Sequence, residues 1–150
     1  MLVMNPFHII SLNETFCDPC FDDGDVQLND FHIYRKDRNR HGGGVAIYVS
    51  SSLSHKLRDD LMDDSVESIC VEVKFKATAP ILIYSVYRPP NSPVSFFNSF
   101  SEMLSKASCE KKEIVTLGDL NCNVDPSVRD ANARHLRFIK SIRKYHRNTN

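Results

Sequence analysis

The chain has 150 residues, of which 41% are hydrophobic and 25% are charged, and this composition suits a single globular domain with a sizeable core. Its 19 basic and 19 acidic residues balance, so no net charge draws the molecule to DNA or to an anionic membrane. No stretch approaches the ~20 apolar residues of a membrane span, and five cysteines without a secretory signal indicate reduced thiols in an intracellular protein.

The first part of the chain alternates between apolar runs and turn-rich segments, a pattern typical of β-strands. Residues 17–30, rich in Asp, Asn, Pro and Gly, are predicted to be a loop. Five segments are predicted as strands: Phe7–Leu12, Phe31–Arg35, Val45–Val49, Ser65–Phe75 and Ile81–Tyr87. Because these strands precede the first clear helix, the sheet is expected to be mixed or antiparallel.

Two helices and one further strand are predicted in the last part of the chain. Apolar residues within Val94–Ala107 recur at helical spacing, with Ser92 as the cap and Pro93 in the first turn. A strand is predicted at 113–117, and a final helix at Asp130–Tyr145 with its basic residues outward.

The most informative motif is Gly118-Asp119-Leu120-Asn121, which follows the apolar run Ile114–Leu117. The glycine is predicted to end that strand, and alternation would put Asp119 and Asn121 on the same face at its carboxyl end. An acid that can activate a water, beside an amide that can orient a phosphate, is a hydrolytic arrangement.

Two other polar side chains are predicted to stand at strand ends. Glu14 follows the first strand, where a carboxylate can bind a Mg²⁺ ion that keeps several waters; an ordinary exposed glutamate is the alternative. Tyr87 precedes two prolines that stop its strand, so its phenol could donate a hydrogen bond to developing negative charge. A tyrosine of the core or its rim is the alternative there.

Two basic clusters are candidate contacts to nucleic acid, or else solvated faces of the protein. The first comprises Arg35, Lys36, Arg38 and Arg40, and the second lies between residues 134 and 147. The triglycine Gly42–Gly44 follows the first cluster and would allow either close approach to a phosphate or a flexible hairpin turn. It is not a P-loop, because no Lys-Ser/Thr follows it.

Taken in order, five segments resemble the endonuclease/exonuclease/phosphatase superfamily, and more narrowly the apurinic-endonuclease-like domain of non-LTR (LINE-type) retrotransposons. The segments are Ile9–Thr15, Tyr34–Arg38, Gly42–Val49, Val86–Asn91 and Gly118–Asn121. The resemblance implies an α/β (α+β) fold, a DNase I-like two-sheet sandwich flanked by helices. Residues 1–150 would be a single, partial domain of this kind.

The resemblance also implies an activity, the Mg²⁺-dependent (or Mn²⁺-dependent) hydrolysis of a phosphodiester. It would nick DNA and leave a free 3′-hydroxyl that primes reverse transcription. Glu14 would hold the metal and Tyr87 would steady the phosphate. Asp119 would orient or deprotonate the attacking water, and Asn121 would hold both the phosphate and Asp119. The candidate DNA contacts are Arg35, Arg38 and Arg88. Such a protein is expected in the nucleus, without a membrane, and fused to a reverse transcriptase in the full-length element.

The sequence departs from the family pattern at both ends. The family begins with a strand that carries a site Asn, for which Asn5 lies too close to Glu14, and it ends with a Ser-Asp-His motif that is not found here. We therefore expect an incomplete domain with weak or no nuclease activity by itself, since each lost acid–base group costs about 10²–10⁴-fold. Two alternatives are a phosphatase or phosphodiesterase of the same superfamily, and a non-catalytic DNA-binding module that uses Arg35, Arg38 and the segment 134–147.

Overall fold

The computed structural model describes residues 7–122, which form two β-sheets packed face to face and one α-helix on the outer side of the second sheet. The strands are β1 (Ile9–Asn13), β2 (Phe31–Lys36), β3 (Val45–Ser50), β4 (Ser54–Leu57), β5 (Glu67–Lys74), β6 (Ile81–Tyr87) and β7 (Glu113–Asp119). The helix α1 (Ser95–Ser108) lies between β6 and β7 in the chain. Short 3₁₀ turns occupy Asp23–Val26 and Asp59–Leu61. The predicted helix Asp130–Tyr145 lies outside the described residues.

The first sheet is antiparallel and has the order β1-β3-β2, so β3 lies at its centre. The sequence of β3 is apolar from Val45 to Val49, as expected for a strand that is covered on both faces. Every second residue of this run contacts the second sheet, and the residues between them pack with Phe31 and Ile33 of β2 on the opposite face.

The second sheet is mixed and has the order β4-β5-β6-β7. The strands β4, β5 and β6 pair antiparallel, whereas β6 and β7 pair parallel because α1 carries the chain back along the sheet between them. The register places Glu67 of β5 opposite Tyr87 of β6, and Tyr87 opposite Asp119 of β7. These three residues therefore lie side by side at one end of the sheet.

Two layers of apolar side chains hold these elements together. The inner layer lies between the sheets and includes Ile69, Val71 and Ile83. The outer layer lies between the second sheet and α1, where Phe97 and Phe100 are almost completely buried. Burial of each such phenylalanine stabilises the fold by about 1.5–3 kcal/mol relative to an exposed one. The face of α1 that packs on the sheet is the one that the helical spacing of apolar residues predicts.

This architecture confirms the predicted two-sheet sandwich and the expected mixed or antiparallel pairing. Three details differ. The helix begins at Ser95 with Val94 as its N-cap residue, so the prediction of Ser92 as the cap is wrong. The strand β7 does not end before Gly118 but continues through it. The short strand β4 was not predicted, because Ser54–Leu57 lacks an apolar alternation. Within residues 7–122, no helix is long and apolar enough to span a bilayer.

Candidate active site

The candidate site lies where the carboxyl ends of β1, β6 and β7 meet. Glu14 directly follows β1, Tyr87 is the last residue of β6, and Asp119 is the last residue of β7. The Tyr87 hydroxyl donates a hydrogen bond to Oε1 of Glu14, across the gap between the two sheets. Because Tyr87 and Asp119 are paired in register, the structure brings all three predicted residues to the same end of the sandwich.

The position of Glu14 is fixed by contacts of β1 with β6. The Ser11 hydroxyl donates to the Ser85 hydroxyl at 2.8 Å, and Nδ2 of Asn13 donates to the Val86 carbonyl at 3.0 Å. Glu14 then adopts a left-handed backbone conformation with φ of 55°, which turns the chain out of the sheet and leaves its carboxylate exposed. β1 thus ends at Asn13, directly before the residue whose carboxylate would bind a ligand.

The Tyr87 phenol is held in its protonated form. Its hydrogen bond to Glu14 is the main cause, burial adds to it, and together they raise the pKa of Tyr87 to about 12. The positive charge of Arg38 acts in the opposite direction. At neutral pH the phenol is therefore a hydrogen-bond donor, as stabilisation of a phosphate would require.

Asp119 and Asn121 are joined, but not as alternation along a strand predicts. β7 ends at Asp119, and Asn121 has a positive φ of 45°, so the two side chains do not share a strand face and that prediction is wrong. Instead, the Asn121 backbone N–H donates to Oδ1 of Asp119 at 2.8 Å, and its side-chain Nδ2 donates to the Arg88 carbonyl at 2.8 Å. Asn121 thereby anchors the exposed Asp119 carboxylate to the end of β6.

Gly118 lets β7 reach this position. It pairs with Val86 in the parallel ladder and has a φ of +127°, a conformation that residues with a side chain rarely adopt. A Cβ at Gly118 would collide with the carbonyl oxygen of Val86 and lie 2.9 Å from its carbonyl carbon. The glycine is therefore needed for close approach of the two strands directly before Asp119.

The triglycine segment is part of the frame of the site. Gly43 and Gly44 are buried, and their carbonyls accept hydrogen bonds from the backbone of Phe16 at 3.1 Å and Thr15 at 3.3 Å. The Gly44 N–H donates to Oε1 of Glu67. The segment belongs to the turn between β2 and β3, where the Gly42 N–H donates to the Asn39 carbonyl at 3.3 Å, and its remaining polar groups hold the residues that follow Glu14.

The three arginines predicted to contact DNA occupy different environments. Arg35 is paired with Asp23 at 2.8 Å and with Asp37 at 3.3 Å. Arg88 is only 1% exposed, and its guanidinium donates to the Ser92 carbonyl at 2.7 Å and lies 4.9 Å from the centre of the Phe97 ring. This position contradicts a DNA contact for Arg88, which instead joins the end of β6 to the start of α1.

Arg38 is the arginine of this group that lies at the site. Its guanidinium lies 6.0 Å from the centre of the Tyr87 ring, and its Nη1 is 3.2 Å from Oε2 of Glu67. Sequence reasoning missed Glu67 altogether. The signal available was a charged residue at the start of the alternating segment Ser65–Phe75, on the same strand face as the apolar residues that enter the core.

One carboxylate at the site could serve as a ligand for a magnesium ion that keeps water ligands. Within residues 7–122, no group of three or more His, Cys, Asp or Glu side chains is arranged to hold a metal ion. Mg²⁺ commonly uses one or two carboxylates and completes its shell with waters and substrate phosphates. Glu14 meets that requirement, since its side chain is exposed and no donor in the described part of the chain engages its Oε2.

Comparison with known proteins supports the fold. Neither a protein-family model nor a curated protein sequence matches the chain. Among solved structures, it is similar to the endonuclease domain of TRAS1, a telomere-specific non-LTR retrotransposon, with a TM-score of 0.60 and 17% sequence identity. The match covers 77% of this chain and 53% of that one, so the chain spans about half the length of the structure that it matches.

The fold class is therefore the DNase I-like α/β sandwich, in which two packed sheets carry polar residues at one end. More narrowly, the chain shares its fold with the TRAS1 endonuclease domain. The resemblance seen in the sequence motifs and the likeness seen in the structure thus agree on the fold.

Proposed function

We propose that the chain is a metal-dependent phosphodiesterase that nicks DNA. The observation that carries this proposal is the hydrogen bond between Tyr87 and Glu14, directly beside Asp119, at the end of the sandwich. A carboxylate for a cation, a neutral phenol and a second carboxylate are three groups that phosphodiester hydrolysis can use. The likeness to an endonuclease domain supports DNA as the substrate.

Each side chain has a role that its environment supports. Glu14 would hold Mg²⁺ through its uncommitted oxygen, and the bound ion would supply charge neutralisation on the phosphate and the leaving oxygen. Tyr87 would turn its hydroxyl hydrogen from Glu14 to a phosphate oxygen once Glu14 holds the ion, since the phenol is neutral at pH 7. Asp119 would orient or deprotonate a water, and the backbone N–H of Asn121 would hold its carboxylate in place.

The test is relaxation of supercoiled plasmid, an assay in which one nick changes the mobility of a whole DNA molecule. We expect slow nicking that requires Mg²⁺ or Mn²⁺, stops with EDTA, and is lost in the Asp119→Ala variant. The matched control is Glu102→Ala, which removes an exposed carboxylate from α1. Equal nicking by the parent and Asp119→Ala would contradict the proposal.

Slow rather than fast turnover is expected because groups in one site act together, and the family motif with Asp and His is not found in this sequence. The DNA-binding module without catalysis would instead give binding that is indifferent to Mg²⁺ and to Glu14→Gln. Under the proposal, the protein works on nuclear DNA, and the nick would serve a reverse transcriptase of the same element.

A further inference from the structure

The side chains of Arg38 and Glu67 form a bridge between the triglycine segment and Tyr87. Nε of Arg38 donates to the Gly42 carbonyl at 2.9 Å, and its Nη1 donates to Oε2 of Glu67 at 3.2 Å. The other oxygen of Glu67 accepts the Gly44 N–H. Both carboxylate oxygens of Glu67 and two nitrogens of the Arg38 guanidinium are thus engaged in hydrogen bonds within the protein.

This bridge reaches both halves of the site. On one side, Glu67 is the direct cross-strand partner of Tyr87, and the Arg38 guanidinium lies over the Tyr87 ring. On the other side, the same triglycine segment binds the backbone of Thr15 and Phe16, the two residues that follow Glu14. A displacement of the bridge would therefore move the phenol and the carboxylate relative to each other.

Gly43 lies directly against the side chains of the bridge. A Cβ at Gly43 would lie 2.5 Å from Nε of Arg38 and 2.6 Å from Oε1 of Glu67. The Glu67 side chain is 14% exposed, whereas that of Arg38 is 40% exposed. The guanidinium is consequently paired with a partly buried acid, and its planar fork is matched to two acceptors.

We propose that Arg38 and Glu67 are positioning residues that fix the Tyr87 ring against Glu14 for the hydrolytic step. The inference rests on the proposed function, and it assigns Arg38 a different role from that of a contact to the DNA backbone. The affinity that a phosphate contact contributes depends on charge and falls as the salt concentration rises. A positioning role depends on the geometry of the fork and needs its acidic partner.

The experiment compares Arg38→Met, Glu67→Gln and the double variant in the nicking assay at several salt concentrations. We expect each single variant to lower kcat about 10- to 100-fold, the loss typical of a misplaced catalytic group. The KM for DNA and the salt dependence should stay near those of the parent. The double variant should be no slower than the worse single variant, because both remove the same bridge.

Two further variants sharpen the result. Arg38→Lys keeps the charge but cannot supply both hydrogen bonds, so we expect it to remain slow. Lys74→Met removes a positive charge from the far end of β5 and serves as the control, with kcat and KM unchanged. A direct contact of Arg38 with DNA would give a different result, which would overturn the inference. Arg38→Met would then raise the KM for DNA and reduce the slope of log affinity against log salt concentration by about one. Arg38→Lys would restore DNA binding, and Glu67→Gln would improve DNA binding.

A spectroscopic arm is independent of turnover. With tyrosines labelled at ¹³Cζ, Tyr87→Phe identifies the Tyr87 signal among those of the five tyrosines. Arg38→Met and Glu67→Gln should shift this signal, and Lys74→Met should leave it in place. If no protein nicks DNA, the proposed function fails, and the signal of Arg38→Lys decides the positioning role. This variant keeps the charge, so a shift like that of Arg38→Met reports lost geometry rather than lost charge. An unmoved signal in both variants refutes the positioning role.

Discussion

At the scale of single residues, the site is built from backbone conformations that most side chains avoid. Glu14 and Asn121 both have positive φ, of 55° and 45°, and such conformations cost about 1–3 kcal/mol each. The hydrogen bond from Tyr87 helps to hold Glu14, and the contacts to Asp119 and Arg88 hold Asn121. Positive φ is not confined to these two residues, since Phe16, Asp30, Ala77 and Lys111 also adopt it.

The clearest test of this local geometry is Gly118→Ala. The new Cβ would collide with the Val86 carbonyl, and the positive φ alone costs about 1–3 kcal/mol. We expect a loss of stability of at least that size in urea unfolding, together with loss of nicking, because Asp119 follows directly. Gly24→Ala is the matched control, since a Cβ there meets nothing within 4 Å. Equal stability of both variants would show that β7 does not need this glycine.

The sequence indicated which residue types belong to the site but not how they are joined. Glu14, Tyr87 and Asp119 follow from strand ends, which hydrophobic patterns reveal well. The contact between Asn121 and Asp119 depends on a left-handed residue after the strand, and no pattern in the sequence predicts that. Glu67 was missed because only the register of β5 against β6 places it beside Tyr87.

At the scale of elements, an ion-pair network joins β4, β5 and the segment between α1 and β7. Arg58 is 8% exposed and donates to Glu72 at 2.7 Å, to Asp60 at 2.7 Å, and to Glu110. Lys112 contacts the same two glutamates, at 2.8 and 2.7 Å. The network holds β4, an edge strand that has few apolar residues of its own. Because β4 lacks an apolar pattern, its sequence did not predict a strand.

Arg58→Met should therefore destabilise the protein by about 1–3 kcal/mol, since it removes an almost buried cation that donates to three carboxylates. The bond from Arg58 is the chief reason that the pKa of Glu110 falls to about 2. A lowered folded-state pKa contributes stability above the ordinary value near 4.5, and that contribution is lost as the pH falls towards 2. Urea unfolding at pH 7 and pH 3 should show a smaller difference between variant and parent at the lower pH.

The control for this network is Lys56→Met, which removes a more exposed cation 3.7 Å from Glu72. Surface pairs of this kind contribute about 0–1 kcal/mol. A similar loss of stability in Lys56→Met and Arg58→Met would contradict the prediction that the buried Arg58 contributes more to stability than an exposed cation of the same network.

At the scale of the whole molecule, the two sheets are joined by polar contacts at opposite edges. The site lies at one edge. At the other, the Tyr34 hydroxyl of β2 shares a hydrogen bond of 2.8 Å with Nδ1 of His55 in β4, and the His32 ring lies 5.2 Å from that of His55. Burial, followed by the neighbouring His32, lowers the pKa of His55. The stability contributed by this edge therefore depends on pH.

A histidine whose pKa is lowered by folding favours the neutral form in the folded state. Its contribution to stability is present above the ordinary pKa of about 6.5 and is lost as the pH falls below that value. We expect the melting temperature to drop between pH 7.5 and pH 5.5, and His55→Gln to reduce that drop. His41→Gln, at an exposed position, should leave it unchanged. An identical drop in all three proteins would exclude His55 as its source.

The hydrogen bond between Tyr87 and Glu14 joins residues 73 positions apart in the chain. The loop between them must be closed before this contact can stabilise anything, and the two residues lie at the ends of strands that belong to different sheets. The phenol and the carboxylate therefore meet only after the two sheets have docked. A nascent or partly folded chain keeps these groups apart, so the capacity to cut DNA would arise with the final packing of the molecule and would vanish with its first loosening.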